Sequence, residues 1–152
     1  MPKQPTTPAQ LFAKLNEAWT EARGERALPR RADINPVKLG GALQNVFLLD
    51  VVPGKPVDFR YRLIGEQLIR GYGRNLTGES HLSNFGKLFP APTYDAFVRC
   101  TNTKQTQESS TNFRNFNGTP CRALSRVWPL SEDGASVTGL LGGCLYLVAE
   151  VS

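Results

Sequence analysis

The chain has 152 residues, 40% of them hydrophobic and 20% charged, which are the proportions of one folded domain and exclude a disordered or low-complexity polymer. Its 18 Lys and Arg against 13 Asp and Glu give a formal charge of +5, but the densest cluster is only Arg23, Arg26, Arg30 and Arg31. A solvated basic surface is expected, and nucleic acid is not a predicted partner.

Cys100, Cys121 and Cys144 are odd in number and widely separated, so neither a disulfide framework nor a zinc site follows. The N-terminus, MPKQPTTPAQLF, has no apolar segment behind its basic residue. The longest apolar stretch, VTGLLGGCLYLVAEV, is too short and too glycine-rich for a membrane span. A reduced, cytoplasmic protein with no membrane partner is expected.

Residues 1–8 carry three prolines and read as a loose tail. From Ala9 to Arg23, Leu11, Leu15, Ala18, Trp19 and Ala22 recur at helical spacing, and Gly24 is the expected stop. Residues 1–26 are thus a tail and flanking helix ahead of a main domain at 27–150. Such a helix packs either on that domain or on a second copy of itself, which makes a homodimer through it the expected assembly.

In LPRRADINP, Asp33 or Asn35 can cap a short helix from Pro36, and Gly40–Gly41 should keep it brief. NVFLLDVV and DFRYRLI then read as two strands of an antiparallel hairpin about a PGKP turn. Alternation puts Phe59, Tyr61 and Leu63 on one face and Arg60, Arg62 and Ile64 on the other. Gly65 ends the alternation. Leu68, Ile69 and Tyr72 share a helical face closed by Gly73. A longer helix, about Pro92 to Lys104, carries Tyr94, Phe97, Val98 and Thr101 as its stripe. Three strands follow: ESSTNFRNF, PCRALSRVWPL after an Asn117–Gly118 turn, and VTGLLGGCLYLVAE after EDGAS.

Two strands, a helical crossover and three more strands make an α+β domain, with helices over one sheet face. Phe59 and Tyr61 would floor a cavity beneath them, and Leu68, Ile69 and Tyr72 would wall it. Tyr94 and Phe97 would line it from the long helix, and Phe113 and Trp128 from the later strands. Phe85 and Phe89 extend the aromatic set. A solid core is the better reading of these rings, although buried tyrosine hydroxyls want partners that a ligand can supply.

The stretches RADINP, FRYRLIG, GRNLTG and PLSEDGASVTGLLG, in that order, resemble the bacterial PAS-like family PAS_5, with a correspondence running from about Trp19 to Leu147. The resemblance implies a five-stranded antiparallel PAS sheet cupped by helices, and a role in signal reception. It implies no common ligand. No haem or flavin motif is present: the long helix has no histidine, and no turn resembles NCRFLQ. The cofactor is left unknown.

His81, the single histidine, is expected in a solvated loop, and Cys100 is expected as a small buried hydrophobe. Asp95 is the one candidate acid or base, within a plain amphipathic pattern, so no enzymatic activity is expected. The leading expectation is a sensor that binds a small, mostly apolar molecule and relays its state to a signalling protein. The alternative is a ligand-free dimerisation module.

Overall fold

The computed structural model describes residues 7–85 and 91–148. Most of the N-terminal tail, Phe89 and the last residues of the final expected strand lie outside them. Helix α1 (Pro8–Arg23) begins at a capping box in which the Thr7 hydroxyl accepts the Gln10 N–H at 3.1 Å, with Pro8 following the cap. Asn35 likewise caps the single-turn helix α2 (Pro36–Leu39) by accepting the Val37 N–H at 3.0 Å. Strands β1 (Val46–Val52) and β2 (Asp58–Ile64) form the first hairpin. Three helices cross over, α3 (Glu66–Tyr72), α4 (His81–Phe85) and α5 (Ala91–Thr103). Strands β3 (Gln107–Arg114), β4 (Pro120–Leu130) and β5 (Gly139–Val148) complete an antiparallel sheet ordered β2-β1-β5-β4-β3.

Both faces of this sheet are covered. Against the inner face lie α3, α4 and α5, around Phe47, Phe59, Tyr61, Leu68, Phe97 and Cys144. On the outer face α1 and α2 bury a second cluster that includes Leu11, Leu15, Val46, Trp128 and Leu141. Two consecutive glycines of β5 make the double burial possible. A Cβ on Gly142 would run into the Phe47 ring on the inside, and one on Gly143 would crowd Leu15 and Leu11 on the outside. The flanking helix therefore packs on its own domain. Its buried stripe is Leu11, Phe12, Leu15 and Ala18, with Trp19 half-buried and donating its indole N–H to the Pro129 carbonyl at 2.8 Å.

Two expected faces change. A bulge opposite Leu48–Leu49 leaves Arg62 without a pairing partner, so parity flips after Tyr61. Ile64 turns inward at 8% exposure and Leu63 outward at 37%. On α5 the buried residues are Thr93, Ala96, Phe97 and Cys100, one step round from the expected stripe. Thr93 is fixed there by a 2.8 Å hydrogen bond between its hydroxyl and that of Thr111 on β3.

Truncating Leu15 to alanine should cost about 3 kcal/mol, since its buried side chain leaves a cavity between α1 and β5. The denaturation midpoint of Leu15→Ala should fall equally at low and high protein concentration. A loss that shrinks as concentration rises would show that the helix face belongs to a dimer instead.

Candidate functional site

The inner face of β2 organises the site. Phe59 and Tyr61 point beneath the helices at 0% and 1% exposure. Leu68 and Tyr72 descend from α3, and Phe97 from α5, while Phe113 rises from β3 at the far side. Ile69 and Tyr94 sit half-buried at the margin, where the Tyr94 hydroxyl donates to the Val57 carbonyl at 2.6 Å. Eight of the nine expected residues thus meet in or against one cluster. Trp128 does not. On β4 the inward residues are Cys121, Ala123 and Val127, so the next residue, Trp128, faces α1, where its indole N–H donates to Asn16 at 3.1 Å.

His81 overturns the loop expectation. It opens α4 at 2% exposure, with its Nδ1 2.8 Å from the Tyr61 hydroxyl. The rings of Tyr94 and Phe97 lie 6.2 and 5.1 Å from the imidazole, and Phe85 lies at 5.0 Å. In so apolar a setting burial disfavours the charged ring and pushes its pKa down to about 4, although the Asp58 carboxylate pulls the other way. The histidine is therefore neutral at pH 7. In the tautomer that carries its proton on Nε2, Nδ1 accepts the hydrogen bond of the Tyr61 hydroxyl.

Polar contacts continue from there. The Tyr72 hydroxyl interacts with those of both Tyr61 and Tyr146, and burial raises all three phenol pKa values above the ordinary range. His81, Tyr61, Tyr72 and Tyr146 form one line of polar groups through an aromatic interior. Close approach makes room for its last member, because a side chain on Gly71 of α3 would collide with the Tyr146 ring. Tyr146 was not among the expected residues, yet the alternation Leu140, Cys144, Tyr146 in β5 carries the signal for its inward face.

Asp58 holds the histidine segment to β2. Its carboxylate accepts from the Ser80 hydroxyl and from the backbone N–H groups of Leu82, at 3.1 Å, and Phe59, at 2.7 Å. Burial opposes its ionisation, but these hydrogen bonds prevail and hold the carboxyl below its ordinary value. Cys100 is fully buried, its thiol raised by burial to about 12 and directed at the Val127 carbonyl, so it acts as a small hydrophobe. Asp95 is exposed and faces away from the site. Among the described residues no group of potential metal ligands converges, and no helix is long and apolar enough to cross a membrane.

The neutral buried histidine makes stability pH-dependent. Between pH 6.5 and about 4 the unfolded chain binds a proton that the folded chain refuses, so stability is full above 6.5 and falls by about 3 kcal/mol across that window. Asp58, depressed below 3.8, adds its own loss only under that pH. Urea titrations of His81→Gln should show no decline between pH 6.5 and 4.5. An undiminished decline would place the responsible group elsewhere.

The LOV domain of the Erythrobacter litoralis EL346 blue-light activated histidine kinase superposes with a TM-score of 0.55 at 8% identity, covering 68% of this chain and 95% of that one. A Rhodobacter sphaeroides LOV protein gives 0.53 at 14% identity over 93% of this chain and 69% of its own. The light-state LOV domain of the photoreceptor Aureochrome1 gives 0.53 at 14%, covering 73% and 84%. At such identities the likeness is one of fold. No curated protein matches the chain. The family model PAS_5, a PAS domain, matches residues 7–141, including all of α1, so the chain belongs to the PAS_5 family of PAS domains.

Proposed function

We propose that this domain is a sensory module that receives its signal as a small, mostly apolar molecule held between α3, α4, α5 and the inner sheet face, and passes it to a protein partner. The observation that carries this reading is the line His81–Tyr61–Tyr72–Tyr146 inside a largely apolar core. Apolar residues alone would fill the same space without the desolvation that four polar groups incur. A few convergent polar groups in an aromatic enclosure are what orient a small ligand. A hydroxyl or carbonyl on the ligand would exchange hydrogen bonds with Tyr61 or Tyr72. Its effect depends on a difference in affinity between two arrangements of the segment from Gly78 to Phe85, which is tied to β2 at Tyr61 and Asp58.

The alternative, a ligand-free module dimerising through α1, requires an apolar face for the second copy. Leu11, Leu15 and Ala18 are at 0%, 0% and 3% exposure against their own sheet, and Lys14, Glu17 and Glu21 are what α1 presents outward. Ligand reception is the better-supported reading.

Native mass spectrometry of the gently purified protein should show a non-covalent mass excess over the polypeptide. In Tyr61→Phe the affinity for that molecule should fall about tenfold, the loss of one buried hydrogen bond, and the occupied fraction with it, with the circular dichroism unchanged. Equal occupancy in Tyr61→Phe would remove the polar line from ligand binding. A bare polypeptide mass in every preparation would overturn the reading.

A further inference from the structure

The outer face holds a groove that no part of the inner site uses. It encloses about 470 Å³, the size of a small-molecule site. Val46 and Leu141 floor it, Ile34 and Pro36 form one wall, and Leu48 and Leu63 form the other. The bulge in β2 builds the second wall, because the unpaired residue places Arg62 and Leu63 on the outer side in succession. Leu43 and Leu63, both lining residues, are left 37% exposed. The stretches RADINP and FRYRLIG meet here.

Among the described residues its charged lining consists of two arginines, Arg31 and Arg62. Both reach Asp50, which sits beyond them in an adjoining notch of about 310 Å³ that also contains Glu132. Arg62 gives Asp50 only its Nε, at 3.0 and 3.1 Å to the two carboxylate oxygens, and Arg31 gives one terminal nitrogen at 3.5 Å. The terminal nitrogens of Arg62 are therefore available to a second anion, in the forked geometry that suits a carboxylate. Glu132 is occupied differently, accepting the Arg31 backbone N–H at 3.2 Å.

We propose that this groove binds an aliphatic carboxylate, its chain laid along Leu48 and Leu63 and its head group on Arg62 and Arg31, in competition with Asp50. The apolar walls alone would admit any hydrocarbon. The arginine pair at one end selects an amphiphile with an anionic head. The site lies across the sheet from His81 and Tyr61, so it stands or falls independently of the inner ligand.

Decanoate tests this on the 152-residue chain, with decanol as the uncharged control and amide NMR shifts as the readout. Saturable shifts at Leu43, Leu48, Arg62 and Leu63 are expected, with decanol weaker. Arg62→Gln should weaken decanoate binding about fivefold, the scale of a half-exposed ion pair. Asp50→Asn should tighten it by a similar factor, because it releases both arginines, and a gain in affinity cannot arise from a failing fold. Absence of saturable shifts, shifts confined to Tyr61, Tyr72 and Phe97, equal affinity for decanol, or weaker binding by Asp50→Asn would each overturn the proposal.

Discussion

A phenol and an imidazole buried together in an aromatic core must satisfy each other or leave the core. The 2.8 Å contact between Tyr61 and His81 meets that demand, and much of the inner face follows from it. His81 can reach Tyr61 only if the chain before it runs along β2, and the backbone is fastened there. Gly78 donates to the Tyr61 carbonyl at 2.6 Å, Tyr61 donates to Glu79 at 3.0 Å, and Asp58 takes both Ser80 and Leu82. The same bonds occupy the free edge of β2 and so protect the sheet from pairing with another chain.

The second constraint is that one sheet is buried on both sides. Each central strand must alternate between two cores, which leaves little tolerance for a change of register. In β5 this is resolved by Gly142 and Gly143, which admit a ring on one side and a helix on the other. On β4 it places Val127 inside and Trp128 outside. The guanidinium of Arg126 also lies toward the outer face, 4.8 Å from the Phe12 ring and 5.9 Å from that of Trp128, and pairs with Glu108 at its other end. Cation–π contact and an ion pair together hold α1 across β4.

Much of the fold was legible because local rules agreed. The strand DFRYRLI ends at Gly65 as expected, Gly73 closes α3 with a φ of 85°, and PCRALSRVWPL is β4 from its first residue to its last. What could not be read depended on distant partners. A histidine after LTGES looks solvated because its partner Tyr61 lies 20 residues away on another element. Leu63 and Ile64 exchange faces because of a bulge that simple alternation does not announce. Trp128 looked like pocket lining because its size suggests a core, and it is in one, but there are two cores and parity assigns it to the other. Phe12 is buried beside Leu11 and Leu15, a place that the helical period gives it and that a stripe drawn through Trp19 omits.

β2 is the element the two faces share. Tyr61 points into the polar line, and its neighbour Arg62 stands in the outer groove. Close-packed faces do not deform by degrees, so a change on one side is carried by an element with two discrete arrangements. A bulge bends its strand and interrupts the ladder locally. Here it falls between Tyr61 and Leu63, opposite Leu48 and Leu49, where one residue step separates the inner core from the outer wall. Because Tyr61 is also bound by the Glu79 and Gly78 backbone, any shift of the bulge must carry the His81 segment with it. Tyr61 and Arg62 thus stand one peptide unit apart on opposite faces of the sheet, and the backbone of the first is bonded to the stretch that leads into His81.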